Sequence, residues 1–144
     1  METPEAGNGS ILKGYLIMKK IEVVAAIIQR EGAYLATQRG YGEFEGMWEF
    51  PGGKIEFGES HEVALKREIQ EELGVDIAIE ELLCTTEYDY PSFLLTMHCY
   101  LCSIETGDIE LREHKSARWL TTETLDNVEW LPADKEIILK LITK

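Results

Sequence analysis

The chain has 144 residues, and 14 Lys and Arg against 27 Asp and Glu leave a net charge of −13. That length suits one domain, and a hydrophobic fraction of 44% supplies a core, which excludes wholesale disorder. The acidic balance excludes a broad basic face for long nucleic acid, but it leaves room for a small phosphorylated ligand carried by divalent cations, which reverse the local sign.

In chain order, Met1 to Ser10 (METPEAGNGS) is polar and aperiodic and lacks the charged-then-apolar order of a secretion signal. Met18-Lys19-Lys20 ahead of a strand-like run reads as the start of the folded unit. Residues 1–17 are then a flexible N-terminal extension or a cloning remnant, and 18–144 form a single domain. Ile21 to Ile28 (IEVVAAII) is short, apolar and β-branched, as expected of a buried strand, and Gly32 turns it into Ala33 to Gln38 as a hairpin. Gly40 to Gly53 holds five glycines and Pro51, which predicts a long loop with Trp48-Glu49-Phe50 extended inside it. From Ser60 to Leu73 the apolar residues Leu65, Ile69 and Leu73 recur at steps of four, with Gly74 as a stop, so a helix is expected. Asp76 to Tyr90, Phe93 to Cys102 and Ala117 to Leu120 read as strands, broken by Pro91 and by the turn Glu105 to Asp108. Pro132 suits the first turn of a last helix whose apolar stripe is Ile137, Ile138 and Leu141. Helices interspersed among hairpin-ordered strands indicate an α/β fold with a mixed sheet packed between helices.

Cys84, Cys99 and Cys102 make an odd count, which disfavours a disulfide framework and fits a reducing cytoplasm. A separation of three within a strand sends Cys99 and Cys102 to opposite faces, so the pair reads as core rather than as a metal or redox motif. No stretch reaches the length of a membrane span, and no membrane partner is expected. His61, His98 and His114 lack metal-ligand spacing and read as ordinary.

Of the 27 acids 22 are Glu, a bias towards helix-borne carboxylates rather than Asp-rich calcium loops. On the predicted helix, Glu68, Glu71 and Glu72 share one arc of about 100°, beside the apolar arc of Leu65, Ile69 and Leu73. Like charges at these spacings oppose each other, so either the face is simply solvated or something compensates it. Arg67 directly precedes the cluster and can orient a carboxylate with its forked donors, and Glu59 complements the start of the helix. Pro51-Gly52-Gly53 offers backbone carbonyls, and hard divalent cations want carboxylate, carbonyl and water oxygens together.

Gly53, then Glu59, then Arg67-Glu68-Ile69-x-Glu71-Glu72-x-Gly74-Val75 reproduces the Nudix box at every defined position. Trp48-Glu49-Phe50-Pro51-Gly52-Gly53-Lys54, Tyr88-Asp89-Tyr90-Pro91, Arg112-Glu113 with Trp119, and Pro132-Ala133-Asp134 extend the likeness over 18–144. The chain thus resembles MutT-like nucleoside triphosphate pyrophosphohydrolases of the Nudix family. The resemblance implies an α/β/α sandwich with a mixed central sheet and the box as loop, helix and loop. It implies Mg²⁺ or Mn²⁺ held by Glu68, Glu71, Glu72 and the Gly52 carbonyl, with Glu113 near the metals. It also implies water attack on a β-phosphorus, giving a nucleoside monophosphate and pyrophosphate. The general base falls among Glu113, Glu68 and Glu71, with Glu113 preferred; Arg67 orients, and Arg39 and Lys54 contact phosphate. Arg39 and Lys54 are each equally compatible with an ordinary surface cation, and the competing reading of Glu113 is an ordinary loop acid beside Arg112 and His114.

Asp134 stands where relatives that hydrolyse 8-oxo-dGTP carry Asn and where those acting on CTP-type nucleotides carry Asp. An ionised Asp only accepts hydrogen bonds, which suits the exocyclic amine of cytosine, while a buried protonated one could still read an oxidised guanine. A plain role in complementing a helix dipole is the competing reading. Ile21 to Ile28 and Glu49 also resemble the CTP branch, and Glu49 joins the substrate-contacting set. Trp48, Trp119, Trp130 and Tyr90 are candidate stacking rings, each more simply core. The expected partner is a nucleoside triphosphate, most simply CTP, dCTP or an oxidised or modified dNTP, on a monomer or homodimer. An 8-oxo-dGTP diphosphatase, an ADP-ribose pyrophosphatase and a nucleotide sensor without turnover are the alternatives. A purely structural acidic helix leaves the loop glycines and Arg67 unexplained.

Overall fold

The computed structural model describes residues 9–12 and 15–143. Among them eight strands form one mixed sheet: β1 (Gly9–Leu12), β2 (Tyr15–Arg30), β3 (Ala33–Arg39), β4 (Trp48–Glu49), β5 (Gly52–Lys54), β6 (Asp76–Tyr90), β7 (Phe93–Thr106) and β8 (His114–Leu120). Helix α1 (His61–Leu73) lies between β5 and β6, and helix α2 (Lys135–Thr143) closes the chain. The sheet runs β4-β3-β2-β7-β6, with β1 and β5 also on β2 and β8 also on β3. The β2–β7 pairing is parallel, from Lys19 opposite Phe93 to Ile28 opposite Cys102, and the other ladders are antiparallel.

The alternation along β2 explains why the sheet is covered on both faces. Val24, Ala26 and Ile28 point to one core, shared with Ala64, Leu65, Ile69 and Leu73 of α1. Ala25 and Ile27 point to the other, with Phe50, Trp130 and Ile137, Ile138 and Leu141 of α2. A continuous apolar run is what a strand buried on both sides requires. Cys99 lies in the α2-side core and Cys102 in the α1-side core, as a three-residue step in a strand dictates.

Several sequence-based boundaries move. The predicted loop 40–53 contains β4, and its last two residues open β5, which pairs with Val23 to Ala25 of β2. Glycine normally weakens a strand, so composition hid this one. Here it is required, because a Cβ on Gly52 would run into the Val24 carbonyl oxygen and come within 2.8 Å of the Ala25 Cα. β7 extends to Thr106 because Asp76 pairs with it, and β8 starts at His114 because Arg39 does. Pro132 opens a 3-10 turn, Pro132–Asp134, ahead of α2 rather than α2 itself. In the expected extension 1–17, residues 1–8 and 13–14 lie outside the described residues, whereas Gly9–Leu12 pairs with Tyr15 to Met18 as a hairpin upstream of the expected start.

Candidate functional site

Helix α1 is delimited by local chemistry. The Ser60 hydroxyl accepts from the Val63 amide at 3.1 Å, and Gly74, at φ 69°, closes the other end with its amide on the Gln70 carbonyl at 3.0 Å. Between these caps the apolar arc is buried and the acidic arc faces the β5 backbone. The Gly52 amide donates to Glu72 Oε1 at 3.3 Å, and a Cβ on Gly53 would collide with the Glu68 carboxylate. A side chain at Gly53 would thus displace the Glu68 carboxylate from its place.

Arg67 organises one end of this arc. Its Nε and Nη2 donate to the two Glu59 oxygens at 2.6 and 2.8 Å, its Nη1 to Glu68 at 3.0 Å and Glu71 at 3.4 Å, and Nη2 also to the Lys54 carbonyl at 3.1 Å. The forked bond from Arg67 holds the Glu59 carboxyl down at about 2, and its partners raise the Arg67 guanidinium in turn. Burial pushes Glu68 up, against the pull of Arg67. Glu72 is only 7% exposed, and burial, reinforced by Glu68, Glu49 and Glu113, raises its carboxyl to about 9. Among the described residues no Lys or Arg pairs with it.

Across a cleft of about 140 Å³, Glu72 and Gly52 meet Glu113, His114, Arg39 and Glu49. The β3–β8 pairing brings these together: Arg39 sits opposite His114, and Glu113 immediately precedes β8. Glu49 accepts from Arg39 Nε at 3.2 Å and faces His114 Nε2 at 3.1 Å. His114 Nδ1 is buried without a partner among the described residues. Reading His114 as ordinary is therefore corrected: it lines the cleft, and its only sequence signal was adjacency to Glu113. Carboxylates gathered around the buried Glu72, with the Gly52 backbone beside them, fit a hard divalent cation, whose charge would offset both the burial and the repulsion that raise Glu72.

Beside the cleft lies an apolar cavity of about 370 Å³ that reaches Arg39, Glu49, Lys54 and Asp134. Its aromatic lining is Phe44, Phe50, Tyr90 and Phe93, with Tyr90 and Phe93 stacked at 5.0 Å. Of the four candidate stacking rings only Tyr90 reaches the cavity. Trp48 and Trp130 are core, and Trp119 packs under the Arg30 guanidinium. Phe44 and Phe93 escaped the sequence reading because one lies in a loop and the other reads simply as strand. Asp134 is 4% exposed, its Oδ2 accepting from the Phe50 amide at 2.9 Å. Burial raises its carboxyl to about 8, against the pull of the Phe50 amide and Arg39. Of the two forms that the sequence left open, ionised and buried-protonated, burial at the start of α2 favours the second, an acid that can also donate. His61 and His98 lie away from this cleft, under the start of α1.

A NUDIX domain family pattern matches residues 23–140. The CTP pyrophosphohydrolase of Escherichia coli K12 is 36% identical over 118 residues, covering 81% of this chain and 87% of that protein. The 8-oxo-dGTP diphosphatase of Haemophilus influenzae is also 36% identical, over 128 residues, covering 88% and 94%. The solution structure of the E. coli ORF135 protein superposes with a TM-score of 0.77 at 32% identity, covering 88% of this chain and 91% of that one.

Proposed function

The chain belongs to the NUDIX domain family, and from that premise we propose that it is a divalent-metal-dependent nucleoside triphosphate pyrophosphohydrolase with cytosine nucleotides as its preferred substrates. Water attacks the β-phosphorus, the bond to the bridging oxygen of the α-phosphate breaks, and nucleoside monophosphate and pyrophosphate leave. The observation that carries this reading is the juxtaposition of the carboxylate cleft with an apolar cavity bearing one buried carboxyl.

Glu68, Glu71, Glu72 and the Gly52 carbonyl, with Glu113 opposite, are the residues to hold Mg²⁺ or Mn²⁺. When bound, the ion screens the triphosphate and polarises its phosphoryl oxygens. Arg67, anchored on Glu59, keeps Glu68 in place. Glu113 is the best placed base for the water proton: it is exposed in the cleft and bonds to no other described side chain, whereas Glu68 is tied to Arg67 and Glu72 is buried. Arg39, which lines both cleft and cavity, and Lys54, on the cavity wall, supply charge-assisted contacts to phosphate.

The cavity is of the size that takes a nucleobase, and its stacked rings offer a face to it. Protonated Asp134 presents an O–H donor and a carbonyl acceptor, which match cytosine N3 and N4. The same pair also matches the O6 and N1–H of an oxidised guanine. That second match, together with the Haemophilus relative, is what favours the 8-oxo-dGTP reading as the rival.

Pyrophosphate release with Mg²⁺ over CTP, dCTP, 5-modified dCTP, 8-oxo-dGTP, the common NTPs and ADP-ribose tests the assignment. A cytosine nucleotide should rank first. 8-oxo-dGTP or ADP-ribose at the top replaces the substrate, and binding without turnover replaces the enzyme by a sensor. Glu71→Gln should lower kcat at least ~10²-fold with folding intact, as loss of a metal ligand does; near-normal turnover removes Glu71 from the metal set. Asp134→Ala, which removes donor and acceptor together, should weaken the preference for cytosine whereas the neutral Asp134→Asn keeps most of it, and an unchanged ranking in Asp134→Ala removes Asp134 from base reading.

A further inference from the structure

On the α1 face of the sheet, apart from the carboxylate cleft, Glu22 of β2, His98 of β7 and His61, the first residue of α1, converge. One ligand atom from each lies within 4.8 Å of the other two. His98 Nε2 is 2.7 Å from Glu22 Oε2, and the two imidazoles stack at 4.1 Å. Register explains the meeting. Glu22 and Val24 share a face of β2, His98 stands opposite Val24, and the loop after β5 returns the chain over this face to begin α1.

We propose that Glu22, His61 and His98 form a second cation site, selective for Zn²⁺ over Mg²⁺. Two imidazole nitrogens and one carboxylate are a donor set for Zn²⁺ and its neighbours, whereas Mg²⁺ prefers oxygen alone. The outer nitrogens are already positioned. His61 Nδ1 meets the Tyr100 hydroxyl at 2.9 Å and His98 Nδ1 meets the Thr85 hydroxyl at 3.1 Å, which leaves each Nε2 to face the site. Hydroxyls on the outer nitrogens set tautomer and ring orientation, the usual support behind a metal-ligating histidine. A tetrahedral ion with bonds near 2.0–2.1 Å needs ligand atoms about 3.4 Å apart, so on binding the His98–Glu22 pair, now at 2.7 Å, opens and His61, within 4.8 Å of both, adjusts to the same spacing. The positive end of the α1 dipole opposes a cation here; Glu22 and Glu62, in the first turn, offset it. His61 precedes Glu68 by seven residues, about 10 Å along the helix, so this is not the carboxylate cluster. A bound ion would pin the N-terminus of α1 to β2 and β7.

Calorimetric titration of the whole chain with ZnCl₂ in excess Mg²⁺ reads the site directly. The expected result is an uptake that loses one equivalent in His98→Asn, through an affinity loss of at least about 100-fold, with a loss of at least about tenfold in Glu22→Gln. Because a change in β7 can disturb folding, the second measurement uses the unaltered chain. Imidazole ¹⁵N NMR should move the Nε2 resonances of His61 and His98 on Zn²⁺ addition and leave those of His114 in place. Unchanged uptake in folded His98→Asn, no uptake in Mg²⁺, or a shift confined to His114 overturns the proposal.

Discussion

Burial at the start of α2 pushes the carboxyl of Asp134 up, against the pull of the Phe50 amide bonded to it. This has a sign. A carboxyl raised from its ordinary 3.8 to about 8 binds its proton more tightly in the folded chain than in the unfolded one. The stability it contributes is therefore complete below about pH 4 and is lost as pH rises through about 8. Denaturant unfolding between pH 4 and 8 should show the native chain losing stability relative to Asp134→Asn as pH rises. A difference that stays flat over that range contradicts the burial argument. At this scale the box acids and Arg67 were legible because helical spacing alone puts them on one arc. The placement of Glu113, His114, Arg39 and Glu49 around one cleft was not, since it depends on the β3–β8 pairing.

Among the elements, α1 was the most legible, its caps and stripe being written within fifteen residues. Its cap makes a sharp test: Ser60→Ala removes the acceptor for the Val63 amide and should lower stability by about 1 kcal/mol in urea denaturation. No loss would mean that solvent caps the amide equally well. β5 is the opposite case. Gly52 and Gly53 have no strand propensity, and what makes them strand is the passage of the chain close to β2 and to Glu68. The 3-10 turn at Pro132 is of the same kind, tightened by the packing that brings Ala133 and Asp134 inward, with the Ala133 amide on the Tyr90 hydroxyl at 3.2 Å.

For the whole molecule the decisive strand is β2, whose successive residues Ile27 and Ile28 fill opposite cores and are both fully buried. Ile27→Ala and Ile28→Ala should each cost about 2–5 kcal/mol, measured as denaturant midpoints at unchanged slope. A near-neutral result in either would show that one face is not a packed core. The charge of −13 looks different once placed. Glu68 and Glu113 lie close enough to the buried Glu72 to repel it, whereas an acid such as Glu110 faces water. By itself the sequence determined the α/β class, the acidic arc of α1 with its orienting arginine, and the family. Those features rest on spacing along one short stretch of chain, which 3.6- and 2-residue periodicity converts directly into faces. Tertiary structure alone decided that burial pushes the carboxyl of Asp134 up, that Phe44, Phe50, Tyr90 and Phe93 line the cavity, and that Glu22, His61 and His98 meet. Burial and convergence depend on which distant strands pair, and that follows from the packing of the whole sheet between its two helices.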